Sequence, residues 1–303
     1  GSTTYANVNA LLGENLAFAK AGETSAIVKG DKQSITENVT VVAHTHTMSG
    51  SECTECGYTC SHKNADGSSA FENGVCTICN SACAHTDVNN EGVCENCKAQ
   101  MAVKITASDN TVTYSTDFKS AMNAAENGTT VTLLADIELG TTPQSRAEIT
   151  GDGKIVTLNL NGHTITGGWI DIGDNNNPTS CTLKIIGEGG HESLGGIGGH
   201  SGVSPKATLD LSEWKGGTIN AINISDDSRY EAETREAAVI VGPNAGTIGK
   251  LTFGNNQLDE LKKTKLSGGS FNEIWAADFG PVKLGELLAD GYAYHHADGS
   301  YVK

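Results

Sequence analysis

Twelve residues between His44 and Cys97 have the types and the spacing to hold metal ions: eight cysteines and four histidines. Three CxxC pairs occur, Cys53/Cys56, Cys76/Cys79 and Cys94/Cys97, and each follows a second close pair, His44/His46, Cys60/His62 and Cys83/His85. Zinc in a closed structural site takes four thiolate or imidazole donors, commonly two from each of two short turns, because paired side chains on knuckles meet tetrahedral geometry easily. The donors divide without remainder into three sites: His44, His46, Cys53 and Cys56; Cys60, His62, Cys76 and Cys79; Cys83, His85, Cys94 and Cys97. Gly-Val precedes both Cys76 and Cys94, and three residues separate Cys56 from Cys60 as they separate Cys79 from Cys83, so the pattern is an internal repeat.

Other uses of cysteine fit less well. A disulfide framework leaves the recurring histidines unexplained. A redox CxxC calls for one motif beside a βαβ unit rather than three in a repeat. Iron–sulfur clusters call for cysteine-rich ligation, against which the regular histidines argue. With all four positions filled by protein, the metal is expected to fold the segment rather than to activate water. Tyr58 and Phe71 are the only aromatics of a stretch rich in Ser, Asn, Gly and Thr, which alone buries too little apolar area to fold. Zinc, about three ions per chain, is therefore the expected cofactor, in a structural role.

These knuckles belong to a chain of 303 residues with 5% aromatics, 18% charged residues and 37 glycines, a profile of short strands and tight turns. Its formal charge of −16, with no Lys/Arg stripe, makes nucleic acid and anionic membrane poor partners. No apolar run approaches the roughly 20 residues of a membrane span, and no signal-peptide pattern opens the sequence. Three segments are expected: residues 1–42, in which neither helix nor strand dominates; a metal-binding module over 43–100; and a β domain over 105–303.

In the β domain, Ser115-Thr116-Asp117 offers an N-cap before Phe118, Ala121, Met122 and Ala125, an apolar stripe that predicts a helix of about three turns ending at Asn127-Gly128. Strand signals follow over 130–139, 155–165, 169–172, 182–186, 207–211, 218–224, 238–241, 247–253 and 269–274, each alternating Val, Ile, Leu or Thr with polar residues between Gly or Asn. A β-solenoid accounts for this series better than a Greek-key sandwich, the alternative. A helix precedes the first strong strand, where an open stack needs a cap. Small turn residues end the strands as coil corners demand, and Asn159, Asn161 and Thr164 suit polar ladders. Residues 226–237 suit a short inserted helix, and residues 283–289 a closing helix followed by a hairpin through Asp298-Gly299.

The run AMNAAENGTTVTLLADIEL followed by VTLNLNGHTITGG resembles the opening of pectate-lyase-like right-handed parallel β-helix domains of exported bacterial surface proteins. The stretch LSGGSFNEIWAADFGPVKLGELLADGYAYHHADGSYV resembles their closing segment, and the Cys/His repeats resemble zinc-knuckle inserts of similar proteins. The resemblance covers about residues 105–303 and marks architecture rather than chemistry. It implies export, a bacterial cell-surface location and a binding or adhesion role toward a glycan or a protein.

Candidate ligand-binding residues of the β domain are few. Trp214, within Ser-Glu-Trp-Lys, is expected to be exposed and Trp275 to pack; Trp169 is the third tryptophan. Asp171 and Asp174, followed by three asparagines, offer oxygen donors of the type Ca2+ prefers, although a loop of Asp, Gly and Asn is above all a turn. Cys181 reads as a buried small hydrophobe. No catalytic constellation emerges. A polysaccharide lyase or hydrolase would require clustered Asp/Glu with a Lys or Arg on a groove, and a purely structural stalk would have no concentrated binding face.

Overall fold

The computed structural model describes residues 46–55, 57–64, 66–140, 142, 145–173, 179–191, 203, 206–224, 237–253, 261, 263–275 and 285–295. The expectations for residues 1–42, His44, Cys56, Asp174, the inserted helix over 226–236 and the strand beyond Asp298-Gly299 lie outside these residues. The chain divides into two compact units, residues 1–84 with 96–98, and residues 85–95 with 99–303.

The Cys/His-rich part is built from short hairpins. Strands β1 (Met48–Ser49) and β2 (Glu52–Cys53) pair antiparallel, as do β3 (Phe71–Glu72) and β4 (Val75–Cys76). The second hairpin turns on Asn73 and Gly74, both at positive φ (50° and 78°), the conformation that an Asn-Gly two-residue turn supplies.

The larger unit is mostly β, a parallel solenoid of about four turns. Its first face runs through β7 (Thr130–Leu133), β10 (Ile155–Asn159), β13 (Thr182–Gly187), β15 (Thr208–Trp214), β17 (Ala238–Val241) and β19 (Lys265–Leu266), all parallel. The second runs through β8 (Ile137–Glu138), β11 (Thr164–Thr166), β14 (Gly190–His191), β16 (Thr218–Asn223), β18 (Thr247–Thr252) and β20 (Ser270–Trp275). The third pairs β9 (Ala147–Ile149) with β12 (Ile170–Ile172) and continues by bridges through Val203 to Ile224.

Alternation puts one row of each strand into the core, and the in-register stack lines these rows into columns. Val156, Leu183, Leu209 and Val239 form one on the first face, and Ile149, Ile172, Val203 and Ile224 one on the third, each residue at most 3% exposed. At roughly 1.5–3 kcal/mol per buried aliphatic side chain, these columns are the main cohesive term of the fold. The second-face column reads Ile137, Ile165, His191, Ile219, Ile248, so one imidazole replaces an aliphatic group within it.

Two expected strands prove to be broken by corners. The run over 155–165 ends at Asn159 and resumes at Thr164, because Asn161 (φ 49°) and Gly162 (φ 85°) turn the chain from the first face to the second. The run over 130–139 also breaks, between β7 and β8, there without a residue at positive φ. On the next corners Gly189, Gly217 and Gly246 stack: a Cβ on Gly217 would run into the carbonyl of Gly189, and one on Gly246 into that of Gly217. Adjacent coils approach there too closely for any side chain.

The open N-terminal end is covered in two ways. Strands β5 (Val103–Thr106) and β6 (Val112–Ser115) form a hairpin that pairs antiparallel with β7. Helix α1 (Phe118–Ala124) starts at Asp117, whose carboxylate accepts from the Ser120 amide at 3.0 Å, and it buries Phe118, Ala121 and Met122. It is seven residues rather than three turns, since Ala125 leaves helical geometry with ψ 129° to bury its methyl in the core. Asn123 accepts a hydrogen bond from the Glu148 amide of β9 at 2.8 Å, which satisfies a strand-edge donor. Near the C-terminus a 3-10 turn, Gly285–Leu287, stands within the span expected as helix, and Leu288 bridges to Leu266.

Candidate metal centre

The three CxxC turns share one backbone frame. The amide of the first cysteine donates to the carbonyl five residues on: Cys53 to Tyr58, Cys76 to Ser81 and Cys94 to Ala99, at 2.8–2.9 Å. The amide seven residues after that cysteine donates back to the carbonyl two before it: Cys60 to Ser51, Cys83 to Gly74 and Met101 to Gly92, at 2.7–2.8 Å. Four residues past the first cysteine, Gly57, Asn80 and Lys98 all take positive φ, at 68°, 58° and 60°, which tightens the turn.

This frame closes the second tetrad. Cys60, His62, Cys76 and Cys79 place their donor atoms within 4.8 Å of one another. Cys60 Sγ lies 3.7 Å from Cys76 Sγ, and His62 Nδ1 lies 3.5 Å from Cys79 Sγ. A tetrahedral ion about 2.3 Å from sulfur and about 2.1 Å from nitrogen requires edges of about 3.8 Å and about 3.6 Å, so the spacing fits zinc. A disulfide, at about 2.0 Å, is excluded for that pair. His62 itself sits at φ 57°, and its ring stacks on Phe71 with centroids 5.2 Å apart, which fixes the face it offers.

The electrostatics of the cluster are compatible with a cation. Burial pushes the Cys60 thiol up to about 11; hydrogen bonds from Ser81, Cys76 and Cys60 overcome burial at Cys79 and hold it near 6. Bound to a divalent cation, all three cysteines would be thiolates, and the site would carry a net charge of about −1.

Cys83, His85, Cys94 and Cys97 form the third tetrad, again with all four donors within 4.8 Å. Of the first, His46 and Cys53 are described; His46 stacks on Tyr58 at 4.4 Å, and Cys53 is buried. The donor sets that are described in full are therefore three cysteines and one histidine each.

The solenoid candidates fall differently. Trp214, expected at the surface, is fully buried, and its indole donates to the Gly189 carbonyl at 3.0 Å. Trp275, expected to pack, is 43% exposed. Trp169 is also buried, and Asp171 lies on the outer side of β12 at 7% exposure. Asp171 pairs in register with Glu148, and Arg146 contacts both carboxylates, at 3.4 Å for Asp171. Among the described residues only the two Cys/His tetrads gather for a metal. Burial raises the Asp171 carboxyl to about 7, against the pull of Arg146. Sequence reasoning did not connect Arg146 and Glu148 with Asp171; the coil spacing that pairs β9 with β12 is the signal that links them. Cys181 is buried as expected, its thiol donating to the Ile149 carbonyl at 3.2 Å. Compared with known protein families, curated proteins and solved structures, the chain matches none.

Proposed function

We propose that the chain is a non-enzymatic binding module of an exported cell-surface protein, in which structural zinc holds the Cys/His repeats and the β-solenoid carries the face that meets a glycan. The observation that carries the reading is the closure of the second tetrad. Four protein donors at tetrahedral spacing leave no open coordination position, which is the arrangement of a structural rather than a catalytic zinc.

The ligand face belongs to the outer side of the second solenoid face. There Asn223, Thr252 and Trp275 align across three coils beside the Lys250–Glu273 ion pair. An exposed indole beside an amide and an ion pair suits the apolar face of a sugar ring and its hydroxyl rim, while the Thr252 hydroxyl of the same row is buried. The resemblance of residues 105–303 to bacterial β-helix domains is what supports export and a surface location in this reading. A glycan array probed with the full chain and with Trp275→Ala tests the reading: binding that falls at least about tenfold in the variant is expected, and an array with no binding by the wild type overturns it.

A second reading, a polysaccharide lyase or hydrolase, draws on the Arg146, Glu148 and Asp171 group. Cleavage of polyuronates by the purified chain, lost on Glu148→Gln, is the result that would favour it.

A further inference from the structure

Each ribbon built around a CxxC turn serves two donor sets. Its middle strand carries the first cysteine of the CxxC pair, and its return strand carries a donor of the next set. In the first ribbon Glu52 bridges to Thr59, and the Cys60 amide donates to the Ser51 carbonyl at 2.7 Å. Cys53 on the middle strand falls by spacing to the first set, whereas Cys60 on the return strand belongs to the second tetrad. In the second ribbon Val75 bridges to Ala82, and the Cys83 amide donates to the Gly74 carbonyl at 2.7 Å. There Cys76 belongs to the second tetrad and Cys83 to the third. The strand on the other side keeps one register throughout, with Met48 opposite Cys53, Phe71 opposite Cys76 and Val88 opposite Cys94.

These ribbons have little besides metal to hold them. Strands β1 to β4 are two residues long each, and pairs of such strands are marginal in water. The buried cluster around the second tetrad is Cys60, Ala70, Cys76 and Cys79, with Met48, Tyr58 and Phe71 packed against it. Three of its four buried members are metal donors, so an ion bound there would supply most of the cohesion. Cys60 comes from the first ribbon and Cys76 and Cys79 from the second, and one ion would close parts of both. By clamping the turn between Cys76 and Cys79 it would hold Ala82 against Val75, and with it the strand that presents Cys83 to the third tetrad. With the second tetrad empty, an ion arriving at the third would have to order that strand itself, and its affinity would fall by the ordering cost.

We infer that the second and third tetrads load as a coupled pair. An ion in either one orders the ribbon between Gly74 and Cys83 that they share, and each raises the other's affinity at least about tenfold. This coupling rests on the structural-zinc reading of the tetrads and adds to it a dependence of each site on its neighbour.

The test uses Co2+ as the probe, added to the metal-free full chain through a metal buffer and followed by the thiolate charge-transfer and d–d absorption of cobalt. The wild-type curve is expected to rise more steeply than a single-site curve. Cys79→Ser leaves the third tetrad intact and Cys97→Ser the second, and each removes one donor atom and no backbone group. In both variants the midpoint for the remaining tetrad should move to at least about tenfold higher free Co2+. A wild-type curve no steeper than single-site binding overturns the coupling, and that measurement needs no variant to fold. So does a remaining tetrad that fills at the wild-type midpoint with only amplitude lost, or a shift confined to one of the two variants, since coupling acts in both directions. Absence of any thiolate–cobalt band in the wild type overturns the structural-zinc reading and the coupling with it; bands with unshifted midpoints overturn the coupling alone.

Discussion

Replacing Asp171 by Asn should make the solenoid's stability depend on pH where the wild type's barely does. The folded carboxyl keeps its proton up to about pH 7, raised by burial from 3.8, with Arg146 and Glu148 its charged neighbours. The unfolded chain ionises it near 3.8, so its contribution to stability is lost as pH rises from 3.8 to 7, by about 4 kcal/mol in total. His191 acts in the opposite sense. Desolvation in the Ile165–Ile219 column lowers its imidazole from 6.5 to about 3, so the unfolded chain binds a proton that the folded chain refuses, and stability falls as pH drops from 6.5 to 3. Each slope is about 1.4 kcal/mol per pH unit, and between pH 4 and 6.5 they cancel. In Asp171→Asn only the imidazole slope remains. Urea unfolding, followed by tryptophan emission, reads the solenoid alone, because Trp169, Trp214 and Trp275 are the only tryptophans. The variant should gain on the wild type steadily between pH 4 and 7, by about 4 kcal/mol at most. A difference between the two proteins that stays constant with pH would refute the burial argument for Asp171.

Further outcomes follow from other elements. Elemental analysis of the full chain should find about three zinc ions, and Cys76→Ser with Cys79→Ser should remove one of them. Gly217→Ala should destabilise the solenoid by more than about 3 kcal/mol in urea unfolding, since its Cβ meets the Gly189 carbonyl and its φ is 96°. Cys181 should resist thiol reagents in the native chain at pH 8 and react on unfolding, because burial pushes its thiol to about 11.

The second and third tetrads were legible because ligand spacing is a local property: each knuckle supplies its pair within four residues, and tetrahedral zinc demands pairs. The solenoid was legible from alternation and Gly/Asn punctuation, but its faces were not. Asn161-Gly162 sits inside a run that reads as one strand, and only the stack shows it to be a corner. Trp214 was misplaced by its polar neighbours Ser212 and Glu213. An irregularity in the pairing of β13 with β15 puts both of them outside and returns the indole to the core. Trp275 was misplaced for the same kind of reason: Asn272 and Glu273 are both exposed, which shifts the alternation by one and sends Trp275 outward. The Asp171, Glu148 and Arg146 group depends on coil register, which no local pattern specifies.

The rung from Met101 to Gly92 has a consequence for how such chains can grow. Met101 and Val103 occupy the frame positions that Cys60 and His62, then Cys83 and His85, occupy in the preceding repeats, and both are fully buried. One hairpin frame therefore accepts either a pair of metal donors or a pair of hydrocarbon side chains at its return strand. At this last return strand, excluded water takes the part that coordination bonds could play in the repeats before it. A further Cys/His unit could be inserted ahead of Met101, or one deleted, without altering the strand that starts at Val103, so the number of knuckles is free to vary while the solenoid's first strand stays as it is.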